Sequence, residues 1–293
     1  MHQPRRVGMV GIGLMGHGIA TSLLRAGHSL VFLDHPGNQP VDDLLAAGAE
    51  ARGTSREVAE AAEVVILCVT GSPQVEAVLF EAGGVLEGLA PGSVVVDCST
   101  ALPSSTAKVA ARVEAAGGRF MDAAMTRTPK EAAEGRLNLI VGAPQALFEE
   151  VLPLLEGFAE NIAHAGEVGA GHTLKLLHNY VSLGFSAVLA EATAASRRAG
   201  IDDAALLEVL GKGGGAGVVL ERLRPFIAED DPSGFRFSVA NASKDLGYYH
   251  AMTDELGVAR GVAAAVHALY SGIEDDSLAV PEVIRVLQDS QRH

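Results

Sequence analysis

The sequence is poor in aromatic residues and in cysteine. It contains no tryptophan, and aromatic residues make up only 4% of the chain, so a core must be built mainly from aliphatic side chains. The two cysteines, Cys68 and Cys98, both lie in apolar runs. Two cysteines are too few for the disulfide framework that stabilises small secreted proteins. We therefore expect two buried thiols in a cytoplasmic protein.

Positive charge is also scarce. Lysine and arginine total 22 residues against 36 for aspartate and glutamate, which gives a formal net charge of −14. A surface of this sign disfavours nucleic acids and anionic membranes as partners, and an anionic substrate would need local positive charge. No apolar run approaches the ~20 residues of a membrane-spanning helix. The first residues also lack the apolar region and cleavage site of a signal peptide.

The first half of the chain alternates short apolar runs with segments of helical periodicity. Alternation of this kind is typical of a doubly wound, mostly parallel α/β sheet, in which ligands bind beyond the carboxyl ends of the strands. The predicted strands are 7–10, 30–33, 64–69, 94–96, 119–121 and 137–141, and the clearest helices between them are 72–79 and 104–116.

A glycine motif follows the first predicted strand. Gly11, Gly13 and Gly16 have G-x-G-x-x-G spacing and precede an apolar helical segment. The first glycine allows a sharp turn, the second lets the backbone approach a phosphate, and the third allows the helix to pack closely. The N–H groups at the helix start then bind the pyrophosphate of a dinucleotide. The motif alone is weak in a chain with 34 glycines, but its strand–turn–helix context predicts a Rossmann-type domain.

Asp34 ends the second predicted strand. An acidic residue about 20 residues after the glycine motif binds the ribose hydroxyls of the adenosine half. Its carboxylate would repel a 2′-phosphate, which favours NAD over NADP, although the neighbouring His35 could hold that phosphate. The alternative is a turn residue that ends the strand before Pro36 and Gly37.

The second half of the chain has helical periodicity throughout. Residues 173–199 contain no proline and one glycine, which predicts a helix of roughly 30 residues against the usual ~11–12. We therefore predict a dinucleotide-binding domain over 1–164 and, joined to it by the long helix, an all-helical substrate and dimerisation domain over 165–293. The further predicted helices are 203–210, 218–228, 243–256, 259–272 and 280–289.

Lys175 and Asn179 lie four residues apart in the long helix and so share a face. Apolar neighbours would partly desolvate the Lys175 ammonium, which suits a general acid/base, and the amide could hold a hydroxyl or a carboxylate. On spacing alone, a surface lysine that covers apolar residues with its stem is the favoured alternative.

Two histidines flank this pair. We expect His172 at the surface and His178 in a pocket wall or the core. We expect no metal site, because acidic or cysteine ligands are lacking nearby.

Ser99 and Thr100 follow the strand 94–96. Their hydroxyls could bind a substrate carboxylate or the nicotinamide end of a cofactor at the sheet edge. Alternatively, this segment caps the following helix, a role that suits Ser104 better than Ser99.

Arg127 stands between Thr126 and Thr128, just beyond another predicted strand. A guanidinium at this edge suits a carboxylate, a sulfonate or a phosphate. The alternative for Arg127 is a surface ion pair with Glu131 or Glu134 that contributes little.

Taken together, these residues resemble the β-hydroxyacid dehydrogenase family, which includes 3-hydroxyisobutyrate dehydrogenase and tartronate semialdehyde reductase. The resemblance covers nearly the whole chain. It is carried by four motifs in order: Gly11-Ile-Gly-Leu-Met-Gly16, Asp97-Cys-Ser-Thr100 with Pro103, Gly169-Ala-Gly171 with Lys175 and Asn179, and Lys244-Asp-Leu246.

The resemblance implies an enzyme that transfers a hydride between NAD or NADP and a small anionic substrate, and it favours the catalytic interpretation of Lys175. Lys175 would be the general acid/base, Asn179 and Ser99 would bind substrate, and Thr100 would contact the nicotinamide end. Family members form dimers or tetramers through the helical half. The remaining implied cofactor contacts are Ile12, Leu14, Met15, Val69, Thr70, Gln74 and Lys244.

Two positions depart from the family pattern. Arg127 replaces a glycine of the substrate loop, which with Thr126 indicates a second acidic group on the substrate. Sulfolactaldehyde reductases resemble the chain here, so a sulfonated or doubly acidic aldehyde is an alternative substrate. His178 replaces a usual asparagine. Imine reductases usually lack the lysine, as do non-catalytic dinucleotide-binding relatives, so Lys175 argues against both.

Overall fold

The computed structural model describes residues 4–289. Within this range the chain forms two compact units, the first ending at Lys175 and the second beginning at Leu176. The long helix predicted from the sequence passes from one unit into the other. No helix among the described residues is long and apolar enough to span a membrane.

The first unit contains an eight-stranded sheet in the order β3-β2-β1-β4-β5-β6-β7-β8. Neighbouring strands are parallel except for β6 and β7, which are antiparallel. The strands are β1 (Arg6–Val10), β2 (Ser29–Leu33), β3 (Glu50–Arg52), β4 (Val64–Leu67), β5 (Val94–Asp97), β6 (Arg119–Thr126), β7 (Leu137–Gly142) and β8 (Ala159–Gly166).

Helices cover both faces of this sheet. Side chains of β4 alternate between two apolar clusters, with Ile66 in one and Val65 in the other, and all four β4 residues are buried. Strands buried on both faces are typical of parallel sheets between helical layers. The helices are α1 (Leu14–Arg25), α2 (Asp42–Ala46), α3 (Ser55–Glu60), α4 (Ser72–Phe80), α5 (Val85–Gly88), α6 (Pro103–Ala115), α7 (Pro129–Glu134), α8 (Gln145–Leu155) and the start of α9 (Ala170–Arg198).

The second unit consists of helices around their own core. Tyr270 is 1% exposed, and its hydroxyl donates to the carbonyl oxygen of Leu183 on α9. The long helix therefore contributes directly to this core. One isolated bridge joins Ser238 to Ala279. The further helices are α10 (Asp203–Lys212), α11 (Val218–Glu229), α12 (Val239–Glu255), α13 (Gly261–Ser271) and α14 (Val283–Asp289), with 3₁₀ turns at Pro232–Phe235 and Val280–Glu282.

The predicted fold class is confirmed, with differences at the two edges of the sheet and at the ends of individual strands. The sequence analysis missed β3 and β8, whose residues are mostly exposed or half-buried and therefore lack a continuous apolar run. The predicted strand 64–69 ends at Leu67, where the chain turns towards α4. Both cysteines are free thiols; Cys98 is buried as expected, whereas Cys68 is only half-buried.

Candidate active site

The glycine motif forms the turn between β1 and α1. Gly11 has a φ of +101°, and a Cβ there would lie 2.3 Å from the carbonyl oxygen of Cys68. A Cβ on Gly16 would lie 1.9 Å from the Gly11 carbonyl oxygen, whereas a Cβ on Gly13 would have no atom within 4 Å. Gly11 and Gly16 are therefore required by the turn itself, and Gly13 leaves open space in front of it.

The start of α1 provides the donors for an anion. His17 is the first residue of the helix to donate its N–H back, to the Gly13 carbonyl oxygen at 2.9 Å. The N–H groups of Leu14, Met15 and Gly16 precede it and have no acceptor within the helix, and no acidic residue occupies the first turn. This cradle fits the pyrophosphate of NAD or NADP.

Ile12 can contact a cofactor only through its backbone. Its side chain is fully buried in the core, and its carbonyl oxygen accepts the N–H of Gln39 at 2.7 Å. Leu14 differs, because its side chain is 66% exposed at the helix start. Gln39, which ties the loop after β2 to the glycine turn, was not found by sequence reasoning because no motif marks it.

Asp34 is exposed immediately after β2, at the carboxyl edge of the sheet. Its N–H donates to the Arg52 carbonyl oxygen at 2.8 Å, which extends the pairing with β3 by one residue. The turn that follows is closed by the Asn38 amide, which donates to the Leu33 carbonyl oxygen at 2.9 Å. The His35 ring accepts the Gly37 N–H at 3.0 Å, so this ring faces its own turn.

The loops after β4 and β5 are bonded to each other. Ser99 is 3% exposed; its N–H donates to the Asp97 carboxylate at 2.9 Å, and its hydroxyl oxygen accepts the N–H of Val69 at 3.1 Å. The Leu102 N–H donates to the Ser72 hydroxyl at 2.8 Å. The Ser99 hydroxyl also hydrogen-bonds to the Asp97 carboxylate, which opposes the effect of burial on the pKa of that carboxyl. Sequence reasoning did not foresee that the hydroxyl oxygen supports the Val69 loop.

The remaining residues of these loops are more accessible. Thr100 is half-buried, and Thr70 and Gln74 are exposed. The expectation that Ser104 caps the following helix is wrong. The helix begins at Pro103, its cap residue is Leu102, and no side chain caps it.

Arg127 lies at the end of β6 with a φ of +82°, which is unusual for a residue other than glycine. Its guanidinium donates to the Glu160 carboxylate and to the carbonyl oxygen of Arg136. The expected alternative partners were Glu131 and Glu134, and that expectation is wrong. Glu131 caps α7, Glu134 pairs with Arg136, and Glu160 lies on the strand that sequence analysis missed.

Lys175 lies in the second turn of α9 and is 8% exposed. The first turn is anchored by Asp122 of β6, whose two carboxylate oxygens accept the N–H groups of Gly169 at 2.6 Å and His172 at 2.7 Å. A Cβ on Gly171 would lie 2.4 Å from the Ile140 carbonyl oxygen, so α9 touches β7 here. The alternative of a solvated surface lysine does not fit this burial.

His172 is fully buried, so the expectation of a surface residue is wrong. Its Nδ1 lies 2.7 Å from the Thr106 hydroxyl, and its Nε2 lies 4.0 Å from the Asp97 carboxylate. Burial raises the pKa of Asp97 above its ordinary value. The helical period places His172 one turn before Lys175, and the sequence showed the spacing but not which face is covered.

In the second unit, Asn179 and the Lys244 motif come together. Asn179 is 7% exposed, and its amide donates to the Asp245 carboxylate at 2.6 Å. The Lys244 ammonium lies 3.2 Å from the other oxygen of Asp245. His178 is exposed and its Nδ1 lies 3.0 Å from the Asn179 amide oxygen, which excludes a place in the core, while a place in a pocket wall stays a prediction. Asp245 was missed, although an acid beside a lysine in a motif was a usable signal.

Metal ligands do not cluster in the part of the chain that the structure describes. No group of three or more histidine, cysteine, aspartate or glutamate side chains there is placed to hold a metal ion.

Comparisons with known proteins identify the relatives of both halves of the chain. Residues 6–166 match the NAD binding domain of 6-phosphogluconate dehydrogenase, and residues 169–285 match the NAD-binding part of NADP-dependent 3-hydroxyisobutyrate dehydrogenase. An NAD-dependent L-serine dehydrogenase of Pseudomonas aeruginosa is 33% identical over 83% of this chain and 83% of its own length. The 3-sulfolactaldehyde reductase of Escherichia coli is 31% identical over 90% of this chain and 89% of its own length.

A solved structure shows the same fold. The 3-hydroxyisobutyrate dehydrogenase of Mycobacterium tuberculosis, solved with L-serine, matches 98% of this chain and 100% of its own with a TM-score of 0.88 and 24% identity.

The fold and these matches define the class of the protein as an NAD(P)-dependent oxidoreductase of hydroxy acids. Within that class, the chain belongs to the β-hydroxyacid dehydrogenase family, as its four motifs predict. The predicted use of NAD or NADP is confirmed at this level.

Proposed function

We propose that the enzyme interconverts a small acidic 3-hydroxy acid and its semialdehyde, with Lys175 as the general acid/base. The observation that carries this proposal is the burial of Lys175 in the second turn of a helix whose first turn is anchored to β6. A buried amine on an anchored helix can hold or release a proton at one fixed point, which is what a general acid/base requires. The relative named L-serine dehydrogenase is consistent with a 3-hydroxy acid.

In this proposal the cofactor transfers the hydride, and Lys175 transfers the proton. When bound, NAD or NADP accepts or supplies the hydride at the carbon that carries the oxygen. In the oxidation direction, the neutral amine of Lys175 takes the proton from the substrate hydroxyl; in reduction, its ammonium returns a proton to the carbonyl oxygen. A fixed proton carrier removes the need to form a free alkoxide in water.

Asn179 and Ser99 are the proposed substrate contacts. Asp245 fixes the Asn179 amide through one N–H, which leaves the second N–H for a hydroxyl or a carboxylate oxygen. The Ser99 hydroxyl accepts from Val69, and its hydrogen would turn from Asp97 to a substrate oxygen when a substrate binds. Both groups are buried, so their positions are set by the fold before a ligand arrives.

The proposed cofactor contacts are the glycine turn, Asp34, the Val69–Thr70 segment with Gln74, Thr100 and Lys244. NAD is favoured over NADP because the exposed Asp34 carboxylate would repel a 2′-phosphate. Two basic residues lie beside it: His35, whose ring accepts the N–H of Gly37, and Arg52, whose guanidinium pairs with Glu50.

A second candidate substrate carries a sulfonate or a second carboxylate that Arg127 would bind together with Thr126. The relative named 3-sulfolactaldehyde reductase supports this alternative. The Arg127 guanidinium is paired with Glu160 and with the Arg136 carbonyl oxygen, so such an anion would compete with a carboxylate already in place. A singly acidic substrate therefore remains the first proposal.

We also propose a cytoplasmic homo-oligomer, a dimer or tetramer, assembled through the helical second unit. Large apolar side chains are exposed on its helices, among them Val181 and Val188 of α9, Val209 of α10 and Val262 of α13. Apolar side chains of this kind mark a surface that is covered in an assembly where they form one contiguous patch. Sedimentation velocity of the full chain measures the state directly.

The experiment that tests the function is a panel of 3-hydroxy acids and semialdehydes, each measured with NAD(H) and with NADP(H). The panel includes singly acidic, doubly acidic and sulfonated members. Turnover of a singly acidic member with NAD(H) as the better cofactor supports the proposal. Absence of turnover across the panel, with cofactor binding intact, contradicts it.

A further inference from the structure

A buried polar cluster surrounds His172, one turn before the proposed acid/base on α9. Asp97 at the end of β5, Thr106 on α6, Asp122 on β6 and His172 on α9 are each at most 1% exposed. His172 is the centre of the cluster, because its ring or its backbone reaches all three of the others. It also lies three residues before Lys175, so the helix carries both side chains on neighbouring positions of one face.

The hydrogens in this cluster can be assigned from the acceptors. The Thr106 hydroxyl donates to the Leu102 carbonyl oxygen at 3.2 Å, so the His172 Nδ1 at 2.7 Å from that hydroxyl is the donor of their bond. The second ring nitrogen, Nε2, then faces the Asp97 Oδ2 at 4.0 Å. Neither of these two buried atoms has another hydrogen-bond partner among the described residues.

Burying a polar atom without a hydrogen-bond partner is unfavourable, and these two atoms face each other at 4.0 Å, which is longer than a hydrogen bond. A proton on either atom makes this contact electrostatically favourable, and closing it to a hydrogen bond of about 2.7–3.2 Å takes a shift of about 1 Å. The other oxygen of the same Asp97 carboxylate accepts the Ser99 N–H at 2.9 Å. One carboxylate therefore connects the ring of His172 to the turn that carries Ser99.

We propose that the His172–Asp97 pair positions the reacting groups, by fixing the first turns of α9 relative to the Ser99 turn. The proposal rests on the proposed role of Lys175. Neither His172 nor Asp97 touches the substrate; each acts through its neighbour, His172 through the helix that carries Lys175 and Asp97 through the backbone of Ser99. Shifts of about 1 Å in such groups can lower turnover about 100-fold without affecting cofactor binding.

Three substitutions separate this role from simple packing. His172→Gln places an amide near the position of Nε2, His172→Asn places one near Nδ1, and His172→Leu retains volume without either polar group. We expect His172→Leu and His172→Asn to lower kcat about 10- to 100-fold, with the Kd of NAD(H) within about twofold of wild type. His172→Gln restores most of kcat, because it can still reach Asp97.

Thr193→Val is the matched control for loss of a buried polar group on the same helix. Thr193 is fully buried, and its hydroxyl donates to the Leu189 carbonyl oxygen at 2.7 Å, outside the cluster. We expect it to lower Tm without changing kcat. If the His172 variants lower Tm but leave kcat unchanged, as expected for Thr193→Val, the histidine is only structural and the proposal is overturned.

Lys175→Ala, measured in parallel, separates the two proposals. If Lys175→Ala loses turnover while all three His172 variants retain it, the positioning role is wrong and the proposed function stands. If Lys175→Ala itself retains turnover, the proposed function fails first. Should His172→Leu not fold, the comparison of His172→Gln with His172→Asn decides, because equal kcat values in these two variants contradict a requirement for the Asp97 contact.

Discussion

Asp122 accepts the backbone N–H of Gly169 at 2.6 Å through one carboxylate oxygen, and the other oxygen accepts the N–H of His172. A strand residue thereby caps the start of α9. Since Lys175 lies one turn further along the same helix, this cap connects the sheet to the proposed acid/base.

Replacing the cap should cost stability. Asp122→Asn keeps the volume but presents an N–H group to one of the two buried donors, so we expect the free energy of unfolding to fall by about 2–3 kcal/mol. Urea unfolding measures this change. Asp254→Asn is the control, because Asp254 forms an exposed ion pair with Arg260, and such pairs contribute about 0–1 kcal/mol. Equal losses in the two variants would show that the cap is unimportant.

The glycine turn predicts different effects at two of its positions. Gly16→Ala would place a Cβ against the Gly11 carbonyl oxygen, so it should lower both Tm and cofactor affinity. Gly13→Ala meets no protein atom within 4 Å, so it should leave Tm nearly unchanged and weaken NAD(H) binding by about tenfold or more, because the backbone can no longer approach the phosphates. Nucleotide fluorescence titration and thermal unfolding give the two readouts. Wild-type affinity in Gly13→Ala would place the pyrophosphate elsewhere.

Arg127 and Glu160 provide a pair of substitutions with opposite expected signs. If Arg127 binds a second acidic group, Arg127→Gly raises KM for doubly acidic or sulfonated substrates, and Glu160→Gln lowers it by removing the competing carboxylate. Stability should change little in Arg127→Gly, because losing an exposed ion pair of about 0–1 kcal/mol is offset by relief of a left-handed backbone that costs about 1–2 kcal/mol. Unchanged KM values in both variants would make Arg127 a surface-loop residue.

The raised pKa values of the two thiols predict that the free energy of unfolding falls in alkaline solution. Although the Cys68 residue is only half-buried, desolvation of its thiol, together with the nearby Asp97 charge, raises its pKa from the ordinary 9.0 to about 12, and burial raises that of Cys98 as well. The unfolded chain therefore releases these protons first, so the free energy of unfolding should fall as pH rises from about 9 towards 12, by about 1.4 kcal/mol per pH unit for Cys68, with a further loss of the same sign from Cys98. Below pH 9 the thiols contribute no slope.

Urea unfolding between pH 8 and 10.5 tests this prediction against a Cys68→Ala/Cys98→Ala double variant. Other alkaline groups titrate in both proteins, so the difference between the two slopes isolates the thiols. Identical slopes would mean that the cysteines ionise alike in the folded and unfolded chains.

The sequence was sufficient for the central strands and for the long helix, because buried aliphatic runs and uninterrupted helical periodicity are local signals. It failed at β3 and β8, where half-exposed edge strands carry polar residues. Because β8 is not evident in the sequence, Glu160 could not be predicted as the partner of Arg127, and the sequence points to Glu131 or Glu134 instead.

The burial of site residues was predictable only in part. His172 and Asp245 are polar residues whose burial is set by strands and helices distant in sequence, and periodicity could not show which face is covered. The motifs identified Lys175, Ser99 and Asn179 as candidates, whereas the contacts that orient them, from Asp122, Val69 and Asp245, depend on tertiary structure.

The central claim is that Lys175 transfers the proton, and its most direct test is kcat of Lys175→Ala on the best substrate of the panel, with the Kd of NAD(H) measured on the same preparation. We predict a loss of about 100- to 10,000-fold in kcat, typical of a missing general acid/base, with cofactor affinity within about twofold of wild type. A kcat within a few-fold of wild type, with cofactor binding intact, would contradict the account.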